Sequence, residues 1–384
     1  MRQSALFSAL PAVALLAWVL VNQGYGQEML KREAGGWVRT LTGTAPPEAR
    51  LRLMGHGPVT VEAGVAREFS YTVAVKVLAR TESEARRKLA NARVQVSSER
   101  GTCVVNVPGG EALSSVTLRA PRLTAAEIST SDGMVDVRGV DGSLSVHSRA
   151  GELFADRIQG DCDLVTGGGA VSVGQVNGNL HCSTGAGRIA VKSARGQASL
   201  VTDGGDIVAD HVGGEVTAQT RGGGVHIGSA GGAVNASSGG GEIVIEHAGG
   251  QVSAQNMAGP VRVSGAVGVH CVSTGAVALS NISGAMSVST AMGSIFANLL
   301  GSRPADSFLA TGSGDITVVI PSNLGLTIRA ANQMSDSLRR IVSDYPAIQI
   351  GRRGTQLVAE GRVNGGGPLL QITGTGGTIF IKRQ

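Results

Sequence analysis

Residues 197–214 read QASLVTDGGDIVADHVGG and residues 215–232 read EVTAQTRGGGVHIGSAGG, two 18-residue stretches that match position by position and each close on glycine. Working outward, the closing glycine recurs at 142, 160, 178, 196, 214, 232, 250 and 268. A second glycine column lies midway, at 133, 151, 169, 187, 205, 223, 241 and 259. After one coil two residues short, the pattern resumes at Gly275, Gly284 and Gly293. Ten coils spanning 125–302 therefore share one template. A repeat of this length cannot bury its own apolar residues, so neighbours must cover one another by stacking.

Counting from the residue after each closing glycine, position 11 is Val135, Leu153, Val171, Ile189, Ile207, Val225, Ile243, Val261, Val277 and Ile295. Position 13 is aliphatic in every coil, and positions 2 and 4 are largely apolar. Alternation of period two predicts a strand at about 2–6 and another at 10–14, each with one buried face, joined by a glycine turn at 7–9. Position 16 (Val140, Ile158, Val176, Ala194, Val212) breaks parity with 11 and 13, so a bend near 14–15 is expected to turn it inward. Position 6 is a polar column: Thr130, Ser148, Thr166, Thr184, Thr202, Thr220, Ser238, Asn256, Thr274 and Thr290. Its parity points it inward, where its side chains are expected to bond the turn backbone. An ice-binding threonine face would instead need outward ladders. The fold class is all-β: a single-chain parallel β-solenoid (β-helix) of 18-residue coils with a short N-terminal helix and an irregular C-terminal cap.

Composition agrees. The 384 residues include 58 glycines, only 3% aromatics and 42% hydrophobic residues, so thin layers of small aliphatics must build the core. The formal charge of +5 is uneven: residues 125–302 hold 8 Lys+Arg against 14 Asp+Glu, net −6, which leaves 25 against 14, net +11, elsewhere. An acidic middle without aromatic platforms argues against nucleic acid as a partner.

Gly204-Gly205-Asp206-Ile207, Ser313-Gly314-Asp315-Ile316-Thr317-Val318 followed by Ile320-Pro321, and Gly376-Gly377-Thr378-Ile379-Phe380-Ile381 resemble the repeat units of the bacterial "putative-adhesin" family of β-strand-repeat proteins. The likeness covers residues 55–384. It implies an envelope-associated β-solenoid and carries no catalytic residues with it.

The flanks read differently. Arg2 followed by the apolar run Ala5–Val21 and by Gly24-Tyr25-Gly26 reads as an export signal over 1–26, cleaved near Gly26 or kept as an N-terminal anchor. Residues 27–56, with Gly35-Gly36 and Pro46-Pro47, read as a linker, and 57–124 as N-terminal strands and a capping helix. That helix is placed at 81–90, with Thr81 as N-cap and Glu84 completing a capping box. Residues 303–384 read as C-terminal coils and cap, with a loop or short helix at Met334–Asp344 and a final coil begun by Pro368-Leu369-Leu370.

Catalytic chemistry is not legible. Two carboxylates for glycoside hydrolysis should sit about 5–9.5 Å apart, which in a stack means acids in one column on neighbouring coils. Position 10 (Glu152, Ala170, Arg188, Asp206, Gly224, Glu242) and position 14 (Asp156, Gly174, Lys192, Asp210, Gly228, Glu246) never place two together. Asp161 and Asp163 share a strand and read as a solvated pair. His211 and His247 share position 15 two coils apart, about 9.6 Å by strand spacing, too far to share a metal ion. His181 and Cys182 alternate faces, Gly204-Gly205-Asp206 is a single echo of a calcium repeat, and Gly222-Gly223-Gly224 is a turn with no phosphate-loop lysine after it. No catalytic, cofactor-binding or metal-ligating residue is assigned, and no cofactor is expected.

The expected function is that of a non-enzymatic exported protein of the periplasm, cell envelope or extracellular space, structural or adhesive. The outward position 3 column (Glu127, Ser145, Asp163, His181, Ser199, Thr217, Asn235, Ser253) would be its flat polar face toward polysaccharide or protein partners. A self-assembling scaffold of coils stacked end to end, and a carbohydrate-active β-helix enzyme, are the alternatives. Membrane association is expected only if the N-terminal segment stays uncleaved. Three structural tests follow from the template. Ile207 should be buried. Cys162 and Cys182, diagonal on neighbouring coils, should be free buried thiols. Arg188 should stack beside Asp206, and Lys192 beside Asp210.

Overall fold

The computed structural model describes residues 29–33, 36–90, 94–107, 113–299, 305–333 and 340–384, with 36 strands and one helix among them. The export-signal reading of 1–26 and the 334–339 part of the expected loop lie outside the described residues. Each coil contributes one strand to each of two parallel ladders. Ile189 faces Ile207 and Ile207 faces Val225 in one ladder, and Leu180 faces Ala198 and Ala198 faces Val216 in the other, always 18 residues apart. One repeat is therefore one full turn of the solenoid.

The alternation translates directly into burial. Ile207, Ala209 and Val212 are fully buried, as are Val135, Val137 and Val140. The second strand runs on to position 16, as in Ile207–Val212, where Asp210 and His211 both face outward before Val212 turns back in. This is the parity break read from the sequence. All four cysteines are buried and free.

The register sets Arg188 one step from Asp206, and Ile189 N–H donates to the Asp206 carbonyl at 2.9 Å. Neither expected charge pair closes into an ion pair among the described contacts; Asp206 Oδ1 instead accepts from Gly224 N–H at 2.8 Å. Arg221 and Asp203, also one coil apart, do meet at 3.3 Å.

Glycine occupies position 9 because coils stack there at backbone contact. A Cβ on Gly187, Gly205 or Gly223 would fall on the carbonyl oxygen of Gly169, Gly187 or Gly205. Three position 9 glycines toward the two ends of the stack also have positive φ: Gly133 (φ 86), Gly151 (φ 121) and Gly314 (φ 126).

The shortened coil corrects two assignments. Val252 faces Val269 and Asn256 faces Ser273, a step of 17, whereas Val261 faces Val277, a step of 16. One residue is thus lost at the corner before Gly268 and another in the following glycine turn. Gly268 sits beside Gln251 inside a strand, and Val267 takes the corner. The inward polar column is held by Ser273, which is buried, and not by Thr274.

Both ends invert the chain order. Arg50–Gly55 and Val59–Ala63 pair with the first regular coil on one side, and on the other with Thr102–Asn106 and Leu113–Ala120, which come later in sequence. Antiparallel strands finish this end: Phe69–Val77 on Leu113–Ala120, then Gly36–Ala45, then Met29–Glu33. The linker expected at 27–56 is thus three strands, whose alternation Gly35-Gly36 and Pro46-Pro47 had masked. The helix is Glu82–Leu89, with Thr81 Oγ1 accepting from Glu84 N–H at 3.3 Å and Ala85 and Leu89 buried.

At the other end Leu369–Gly374 lies between Ser307–Thr311 and Leu326–Asn332, and Ile379–Arg383 lies between Ile316–Ile320 and Ile341–Ser343. The last segment in sequence is therefore not the last in space. Ile341–Ser343, expected within a loop or short helix, is a strand.

Candidate functional site

Positions 1 and 3 alternate with the buried positions 2, 4 and 6, so the first strand of the regular coils presents both to one outer face. Along this face the structure has an open groove of about 800 Å3. It runs from Arg50 and Arg52 across Glu127, Ser145, Asp163, His181 and Ser199 to Thr217, the column singled out from the sequence. Six regular coils line it and account for about 24 Å of its length at the parallel-strand spacing.

Its rim is a hydrogen-bonded row at position 1 that sequence reading missed. Asp161 Oδ1 accepts from Asn179 N–H at 2.8 Å, and Asn179 Oδ1 accepts from Gln197 N–H at 3.0 Å. Each side chain spans one strand step and is thereby held against the backbone of the next coil. The signal was present as Asp161, Asn179 and Gln197 recurring every 18 residues, but it has no periodic hydrophobicity to mark it. Arg52 Nε donates to Glu127 Oε2 at 2.9 Å at one end, and Asn235 Nδ2 donates to Glu215 Oε1 at 3.0 Å at the other.

The expected solvated pair Asp161 and Asp163 both line the groove. Beside them the structure assembles Ser145, His147 and Asp163: Ser145 Oγ lies 3.3 Å from His147 Nδ1, and His147 Nε2 lies 3.9 Å from Asp163 Oδ2. This grouping was not anticipated. A hydrolytic triad needs a hydrogen bond from base to carboxylate and N–H donors aimed at an oxyanion. The carboxylate contact here exceeds hydrogen-bond length, and the backbone N–H groups of both flanking strands are spent in the parallel ladder.

The other candidates stay apart. His211 and His247 are separated by Ser229, whose Oγ lies 2.7 Å from His211 Nδ1. His181 is exposed, whereas Cys182 is buried on the opposite face. Among the described residues no three His, Cys, Asp or Glu side chains converge as a metal set. Burial pushes the thiols of Cys103 up to about 11 and of Cys162 and Cys271 up to about 12, and raises Cys182 still more firmly, so none is poised as a nucleophile.

The face continues toward the C-terminal end. His270, Ser287, Phe308 and Gln371 follow in the position 3 column, around a second concavity of about 360 Å3. The step from Thr290 to Thr311 is 21 residues, and this break in spacing concealed Phe308's place in the column.

No family model matches the chain, and no curated protein is similar to it. Among solved structures, the chain is similar to a putative cell adhesion protein from Clostridium sporogenes, at 10% identity and a TM-score of 0.19 over 90% of this chain and 100% of that one. It is similar also to a putative adhesin from Bacteroides fragilis, at 11% identity and a TM-score of 0.28 over 90% of this chain and 97% of that one. The solenoid is defined here by its own strand register. No described helix is long and apolar enough to cross a membrane.

Proposed function

We propose that the chain is an exported, non-enzymatic, adhesive rod that holds an extended polysaccharide along the groove of its position 1 and 3 face. The observation that carries this reading is the coincidence of the 800 Å3 groove with that outward polar column. A row of hydroxyls, amides and carboxylates at strand spacing suits a polymer lying along the rod better than a compact ligand. Export rests on the apolar run Ala5–Val21 and on its flanks. A non-catalytic role is supported by the contact distances at Ser145, His147 and Asp163 and by a face whose backbone donors are already paired.

The scaffold alternative is disfavoured by the ends. Edge strands guard against pairing when they are short or charged. Ile341–Ser343 has three residues, Gln349–Arg353 is fully exposed with Arg352 and Arg353, and Met29–Glu33 carries Lys31 and Arg32. Like charge at both ends opposes head-to-tail stacking.

The test is co-sedimentation of the full chain with insoluble polysaccharides, before and after Ser199→Trp. The bulky ring should fill the groove and lower retention at least tenfold without changing the melting temperature. Retention unaffected by Ser199→Trp, or turnover of the polymer, would refute the reading.

A further inference from the structure

We infer that Phe308 is a stacking platform for a sugar ring of a neutral glycan, at the C-terminal end of the same face; this rests on the polysaccharide reading of the groove. Phe308 stands in the position 3 column with Ser287 on one side and Gln371 on the other. It is 38% exposed, at a site where the regular coils place small or polar residues. Three of the other described phenylalanines have evident roles or cover. Phe69 is fully buried, Arg138 lies over Phe154 at 4.9 Å, and Lys382 lies over Phe380 at 5.4 Å. Phe296 is also exposed, at 44%, but on the opposite ladder between Ala278 and Thr317.

A single exposed aromatic is ordinary on a protein surface. An aromatic within a concavity, with polar groups converging on it, has the composition of a binding site. Gln251, His270, Ser287, Asp306 and Gln371 surround the ring in the 360 Å3 concavity. A pyranose offers an apolar C–H face and a rim of hydroxyls. The phenyl ring covers the first, and the amides, hydroxyl and carboxylate take the second. Asp306 Oδ1 accepts from Leu369 N–H at 2.8 Å, which fixes the carboxylate and leaves Oδ2 for a ligand hydroxyl. Among the described residues no Lys or Arg lines the concavity, so a carboxylate or phosphate would meet Asp306 there without a compensating cation. That selects a neutral glycan over a uronic-acid polymer or a single-stranded nucleic acid.

The experiment is calorimetric titration of the full chain with cello-, malto- and chito-hexaose, and with oligogalacturonate and a single-stranded oligonucleotide. Phe308→Ala should weaken binding of the neutral oligosaccharide at least tenfold at unchanged melting temperature. Phe308→Trp should retain binding, and Phe296→Ala should leave it within twofold of the parent. If Ser199→Trp abolishes binding while Phe308→Ala does not, the groove reading stands and this inference falls. If the parent chain binds none of the oligosaccharides, charged or neutral, both fall. Preference for oligogalacturonate or the oligonucleotide would overturn the neutral-glycan assignment.

Discussion

Thr202 condenses the chemistry of the coil into one side chain. Its hydroxyl accepts from Gly205 N–H at 3.2 Å within its own turn and donates to the Gly187 carbonyl of the preceding coil at 3.0 Å. Thr220 repeats both bonds one coil on, at 3.1 and 2.9 Å. From Thr166 to Thr311 the column therefore ties each turn to its neighbour, where strand pairing has stopped. Thr202→Val keeps the shape and removes both bonds, leaving two backbone groups unpaired in the interior. We expect a loss of about 1–3 kcal/mol in denaturant unfolding; an unchanged midpoint would show that the hydroxyl is dispensable. The thiols make a second prediction at this scale. Unfolded cysteine titrates near 9.0, whereas Cys162 and Cys271 in the fold titrate at about 12. Between these values the unfolded chain releases protons that the folded chain retains. Their stabilisation is thus complete below pH 9 and declines as pH rises toward 12, by at most about 1.4 kcal/mol per pH unit for each thiol. A Cys162→Ala/Cys271→Ala variant should show a shallower fall of melting temperature between pH 9 and 10.5 than the parent.

At the level of the turn, glycines in one short stretch have different reasons to be there. A Cβ at Gly205 would fall on the Gly187 carbonyl oxygen, whereas a Cβ at Gly168 meets nothing within 4 Å. Gly205→Ala should cost about 1–3 kcal/mol as overpacking, and Gly168→Ala should stay within about 0.5 kcal/mol of the parent. Thermal melts of both variants decide it, and equal shifts would contradict stacking contact as the cause. Strands, turns and buried positions were legible because each coil restates them, so that an ambiguous residue such as Ala209 is read from Val191 and Ile227 in its column. The shortened coil was misread at Gly268 and Thr274 because a deletion counted as one step is two separate losses, one in each corner. The groove was half legible. Its position 3 column followed from parity, but its concavity depends on how coils stagger in space, which has no counterpart in residue type.

The ends were the least legible, and for a topological reason. Strand pairing there skips in sequence: Arg50–Gly55 joins Ala125–Thr130 across the whole N-terminal insertion, and Leu369–Gly374 enters between strands laid down earlier. No periodicity marks a non-sequential neighbour. Removing residues 368–384 should therefore do more than shorten the rod. It would strip one of the two partners from each of Ser307–Thr311, Ile316–Ile320 and Leu326–Asn332 at once. We expect a lowered melting temperature and protease cleavage after about residue 305; a truncated chain as stable as the parent would exclude the inserted arrangement.

The same insertion makes the rod mechanically polar. A load applied at the N-terminus meets Met29–Glu33, an outermost strand, and can peel it away one hydrogen bond at a time. A load applied at the C-terminus meets Ile379–Arg383 clamped between two parallel strands, from which it must be sheared on both sides together. A tether pulled from its C-terminal end would hold at forces that unravel it from the other.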